Sequence, residues 1–134
     1  MIMRNVVIAA ALALAAFAVY RIVINRSEAP TSSVSVVVPE LLGDAQAGKE
    51  VFDATCAKCH GVNASGTNAG PPLVHKIYEP NHHADAAFLL AVRNGVRAHH
   101  WPYGDMPPVP AVTGADVAKI VAYVRQLQKA NGIF

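Results

Sequence analysis

A chain of 134 residues, 53% of them hydrophobic and with a formal charge of +2, has room for one compact domain and a tail but not for two domains. The positive charge does not indicate nucleic-acid binding: Arg4, Arg21 and Arg26 flank one apolar segment, leaving 8 of the 11 Lys and Arg against all 9 Asp and Glu in residues 27–134. The two cysteines fall inside one five-residue segment, which excludes a disulfide framework.

The first element is an apolar, helix-compatible run from Val6 to Tyr20 behind a short basic region containing Arg4, the pattern of an export signal. Ala16-Phe17-Ala18 offers a small-x-small cleavage site, with a mature start near Val19. The run nevertheless resumes after Arg21 with Ile22-Val23-Ile24, giving 19 positions from Val6 to Ile24, near the roughly 20 that a membrane span needs. Residues 1–26 are therefore read as a signal-anchor, with a cleaved signal peptide as the alternative. In both cases the rest of the chain lies on the outer side of the membrane, periplasmic in a bacterium.

Residues 27–43, with Pro30, Thr31, Ser32, Ser33 and Pro39, read as a flexible linker that reaches at most roughly 55 Å when extended. Val34 to Val38 has strand-like composition, but an isolated strand has nothing to pair with. The domain proper spans 44–134. Its first helix is expected from an Asp44 cap through Thr55, with Gly48 and Phe52 on one face. Glycine inside a helix costs about 1 kcal/mol relative to alanine, so a close helix crossing is the reason to place it there. A second, short helix is signalled by an Asp85 cap, apolar Phe88, Leu89 and Val92, and Gly95 as stop. The third is the clearest: Thr113 with Asp116 forms a capping signal, Val117, Ile120, Val121, Val124 and Leu127 form one stripe, and Gly132 ends it. No segment of 44–134 alternates as a strand, so the domain is expected to be all-α.

Cys56-Ala57-Lys58-Cys59-His60, at the end of the first helix, carries the chemistry. Two thiols one helical turn apart can add to the two vinyl groups of a haem, and the adjacent histidine then stands under the iron. A zinc site would need further ligands, and a thioredoxin-like pair would need a βαβ setting that this chain lacks. The long loops Gly61–Ala84 and Val96–Val112 agree with haem, since loops of this length need something to wrap and the domain is short of large apolar side chains.

Residues 44–134 resemble a class I c-type cytochrome. The resemblance rests on Gly48-Lys-Glu-Val-Phe52, the cysteine motif, Gly70-Pro71-Pro72-Leu73, Gly104-Asp105-Met106-Pro107-Pro108 and Tyr123, which stand in the family's order. It implies the cytochrome c fold, with three main helices and long loops around one covalently bound haem c, here preceded by the amino-terminal apolar helix. It also implies that the first and last helices cross at Gly48 and Phe52 against Tyr123, and that the Pro71 carbonyl accepts the His60 Nδ1 hydrogen so that Nε2 is left for iron. Pro71, Leu73, Trp101 and Tyr103 are taken as haem-binding with Cys56 and Cys59, and His60 and Met106 as the iron ligands. Met106 sits in a loop stiffened by Pro102, Pro107 and Pro108; the bland alternative is that it fills space in the core.

A closed, six-coordinate iron suits electron transfer and leaves no position for a substrate, so no enzymatic activity is expected. The function read from these features is shuttling of single electrons between redox proteins such as a quinol-oxidising complex, a terminal oxidase or a periplasmic dehydrogenase. The alternative is a fixed electron-entry haem subunit of a membrane oxidoreductase. His75, His82, His83, His99 and His100 remain. The bland reading makes them loop residues or partners of haem propionates, with Arg97, Trp101 and Tyr103 walling the haem edge. A second copper or zinc site is the sharper one; in extended chain each adjacent pair would turn one ring toward it.

Overall fold

The computed structural model describes residues 12–21 and 33–134. Residues 12–21 are helical, with Leu12, Leu14, Phe17, Val19 and Tyr20 exposed; the remainder of the expected leader helix lies outside the described residues. Among the described residues no helix is long and apolar enough to cross a membrane.

In the unit that runs from residue 31 to the end, the described helices are α1 (Asp44–Thr55), α2 (Ala57–His60), α3 (Asp85–Asn94) and α4 (Gly114–Ala130), with 3-10 turns at Val62–Ala64 and Lys76–Tyr78. No strand forms among the described residues; only isolated bridges join Thr67 to Gly70 and Val96 to Met106. The three expected helices are present, and α2 is one further turn after a break at Cys56.

Helices α1 and α4 cross, and Gly48 permits it: a Cβ at this position would collide with the backbone carbonyl of Lys119. One turn on, Phe52 and Tyr123 meet edge to face with ring centroids 5.5 Å apart, both fully buried with Val124 and Leu127. The α4 stripe faces this core throughout, and its amino terminus carries the expected capping box, in which Asp116 N–H donates to Thr113 Oγ1 and Thr113 N–H to Asp116 Oδ2. The other two caps differ from expectation. Gly43, with φ +58°, precedes α1, and Ala84 precedes α3. Asp44 and Asp85 fall in the first turns instead, where their charge still complements the helix dipole.

The stretch expected to be flexible linker is docked over its second half. Val34 N–H donates to the Ser65 carbonyl at 2.7 Å. Asn131 exchanges two hydrogen bonds with the backbone of Val37, at 2.9 and 2.8 Å. Val34, Val36 and Leu41 pack against the core. Strand-like alternation is thus used without a ladder, since one backbone bond to Ser65, the Asn131 side chain and apolar packing hold the segment.

Arg125 and Gln128 of α4 tie down the loop that precedes α3. Gln128, 1% exposed, donates through Nε2 to the Leu73 and Tyr78 carbonyls at 2.8 and 2.9 Å. Arg125 donates to the carbonyls of Tyr78 and His83 and to Gln128 Oε1, pairs with Asp85 at 2.8 Å, and lies over the Phe88 ring. Buried carbonyls without regular partners are thereby satisfied by one cation and one amide.

Candidate functional site

The cysteine motif is held from both sides. Carbonyls of α2, which lack partners inside so short a helix, are taken by the loop that follows: Thr67 Oγ1 donates to the Cys59 carbonyl and Gly66 N–H to that of His60, both at 2.6 Å. Gly70 passes so close that an added Cβ would lie 2.9 Å from the Cys59 oxygen. This approach delivers the Pro71 carbonyl to His60, whose Nδ1–H donates to it at 2.9 Å. Nε2 is left as the free lone pair. Burial pushes the His60 pKa down, against the opposing effect of the Pro71 bond. A neutral imidazole with Nε2 available is the form a metal requires.

The cysteines themselves are not poised as a redox pair. Cys56 is half-buried and Cys59 exposed. Burial raises the Cys56 thiol pKa above its ordinary value, Thr55 lowers it and Cys59 adds to the rise. Catalytic dithiols show the opposite shift.

A cavity of about 350 Å³ opens beside the motif, within the size range of cofactor sites. Of the residues singled out from sequence, Cys56, His60, Pro71, Leu73, Trp101, Tyr103 and Met106 line it, while Cys59 stands at the surface beside it in the chain. Sequence reading missed Tyr78 and Val96, and took Phe88 for core only; all three also line the cavity. Phe88 was visible in the α3 stripe, whereas no local pattern marks Tyr78.

Met106 reaches the cavity through backbone pairing. Val96 and Met106 exchange two N–H to carbonyl bonds, both 2.9 Å, and Asp105 Oδ1 accepts from Ala98 N–H at 2.8 Å inside the loop they close. Gly95, at φ +72°, lets the Met106 carbonyl come in where any side chain would collide with it. Val109 N–H donates to the Val92 carbonyl at 2.8 Å and fixes the far side of the loop to α3.

Trp101 and Tyr103 stack with ring centroids 6.0 Å apart. The buried Trp101 Nε1 has no hydrogen-bond partner of ordinary geometry, and burial raises the pKa of the neighbouring Tyr78 phenol, a rise that Trp101 opposes only in part. A buried indole N–H without an acceptor, beside an apolar cavity, suits a ligand that is apolar in its body and carries an anionic oxygen at its edge. A haem with its propionates has that chemistry, and the residues present fit it.

Four of the five remaining histidines cluster. His82 and His83 have ring centroids 4.7 Å apart, His99 and His100 4.2 Å, and the pairs meet with His82 to His100 at 5.2 Å. The expectation that adjacent rings point apart fails because both pairs sit in turns and bends rather than extended chain. His75 packs on Trp101 instead.

The cytochrome c family model matches residues 45–128. Cytochrome c-555 of Chlorobaculum thiosulfatiphilum is 33% identical over 84 residues, which are 60% of this chain and 93% of that protein. Cytochrome c-554(547) of Halothiobacillus neapolitanus is 55% identical over 31 residues, 23% of this chain, and the match spans only about a third (34%) of that relative's length. No solved structure matches the chain. With a family match over most of the folded domain and the cavity, the paired cysteines and the histidine in one place, the chain belongs to the cytochrome c family and carries covalently attached haem c.

Proposed function

We propose that this chain is a dedicated electron carrier, with one haem attached through Cys56 and Cys59 and its iron held between His60 Nε2 and the Met106 sulfur. The observation that supports it most is the Pro71 carbonyl on His60 Nδ1, which sets the ring's tautomer and orientation while Met106 is held to the same cavity by the Val96 bridge. Haem supplies one-electron redox chemistry when bound. His60 and Met106, each fixed by backbone rather than by a flexible side-chain contact, keep ligand positions constant between oxidation states. Leu73, Phe88, Val92 and Ile120 keep water from the cavity wall. Trp101 Nε1 and the Tyr103 ring anchor a propionate edge.

The leader places the domain on the outer face of the cytoplasmic membrane, where its partners are a quinol-oxidising complex, a terminal oxidase or a periplasmic dehydrogenase. Amino-terminal sequencing separates a retained leader from a cleaved one.

Haem staining is expected to survive denaturing electrophoresis and to vanish when Cys56 and Cys59 are both replaced by Ser. Haem extracted intact by acid-acetone overturns the attachment. Met106→Ala is expected to lower the reduction potential and open the iron to cyanide and carbon monoxide; an unchanged spectrum and potential removes Met106 from the iron. Purification from membranes as a stoichiometric complex would make the chain a fixed subunit rather than a carrier.

A further inference from the structure

The histidine cluster is not needed for any role assigned so far. Its members come from two loops far apart in sequence, 82–83 before α3 and 99–100 after it, and His83, His99 and His100 belong to the cavity wall. One ring nitrogen from each of His82, His83 and His100 lies within 4.8 Å of the others. The closest pair, His82 Nε2 and His100 Nε2, is 3.3 Å apart. A tetrahedral ion with nitrogen ligands at 2.0–2.1 Å sets those nitrogens about 3.3 Å from one another.

Two rings are oriented as metal-bound imidazoles are. His83 Nδ1–H donates to the Ile77 carbonyl at 2.6 Å and His99 Nδ1–H to the Arg97 carbonyl at 2.7 Å, so each keeps Nε2 as its lone pair. This is the arrangement His60 has with Pro71. Among the described residues no carboxylate pairs with any of the four, so nothing on the protein offsets the charge that imidazolium ions would place here. Imidazole rings converging from two loops without an acid call for a cation between them, and nitrogen-only ligands select the late first-row ions over magnesium or calcium.

We propose that His82, His83 and His100 bind one zinc or copper ion at the exposed edge of the haem cavity, with His99 beside them. The ion clips the loop before α3 to the loop that carries Trp101 and Met106.

The test uses the full-length, haem-loaded protein without a histidine tag, stripped by chelator and titrated calorimetrically with Zn(II) or Cu(II). One ion per chain at micromolar concentration or tighter is expected, with Mg(II) giving no heat. His82→Ala/His100→Ala, which leaves one of the three ligands, is expected to abolish stoichiometric binding at micromolar metal, and His75→Ala to leave it unchanged. Imidazole nitrogen NMR of the reduced protein reads the site without any variant: Zn(II) should move the signals of His82, His83 and His100 and leave His75 in place. Absence of stoichiometric binding at micromolar metal overturns the proposal, as does equal affinity in the double variant or unmoved imidazole signals. His82 and His100 would then be a hydrogen-bonded pair.

Discussion

Gly48→Ala tests the crossing on which the fold depends. Alanine favours a helix interior over glycine by about 1 kcal/mol, and Gly48 has ordinary helical φ, so propensity alone predicts a stabilised protein. The added Cβ, however, runs into the Lys119 carbonyl and lies 3.0 Å from the Ile120 nitrogen. These are backbone atoms of a helix and cannot rotate aside, so α1 and α4 must separate, loosening Phe52, Tyr123 and Leu127, each 0% exposed. Overpacking of this kind costs about 3 kcal/mol at the upper end of its usual range, leaving a net loss of about 2 kcal/mol and a fall in Tm of about 10 °C for a domain of this size. Gly114→Ala is the matched control. There the new Cβ meets only Leu89 Cδ1 at 3.9 Å and Arg93 Nη2 at 4.0 Å, so the propensity gain survives and Tm should rise slightly. Thermal and urea unfolding of the haem-loaded variants measure both. A Gly48→Ala protein as stable as its parent would refute the close crossing.

Arg125→Ala removes donors from the Tyr78 and His83 carbonyls and the partner of Asp85; about 3 kcal/mol of local stability should go, read as faster amide exchange at Tyr78 to His83 than in the α1–α4 core. Thr113→Ala should lower stability by about 1 kcal/mol through loss of the cap. Because the Thr113 hydroxyl and backbone hold the Asp116 pKa below its ordinary value, that contribution is present above the usual carboxylate range and is lost as pH falls through the depressed value. The deficit of Thr113→Ala, followed by urea unfolding, should therefore shrink in acid. Tyr123 behaves oppositely: burial, with Asp53 nearby, pushes its phenol up to about 12, so its contribution is complete below its unfolded pKa of about 10 and lost as pH rises toward 12. Tyr123→Phe should flatten the stability profile between those limits.

What was legible from sequence was local. The cysteine motif, the Thr113–Asp116 box and the α4 stripe are written in spacings of one to four residues, and each has the expected place in the structure. Gly48 was legible too, because glycine in a helix asks for a neighbour. The Arg125–Gln128 network was not, since its acceptors are backbone carbonyls at Leu73, Tyr78 and His83, and a carbonyl has no side-chain identity to read. Docking of Val34 to Leu41 was hidden for a related reason: the segment's partners, Ser65 and Asn131, lie 31 and 94 positions away from Val34 and Val37. The histidine cluster depended on turns at His82–His83 and His99–His100, and polar loop composition does not specify which way such rings point.

The contact between α1 and α4 also sets an order of events in biogenesis. Helix α1 leads directly into Cys56 and Cys59, but the surface that buries it, from Lys119 through Leu127, is made after both. As the chain grows from its amino terminus, the cysteine segment emerges while its packing partner is still behind, and loop closure over some seventy residues cannot precede that arrival. The thiols are therefore accessible before α1 and α4 can close on one another, and that closure is the later step.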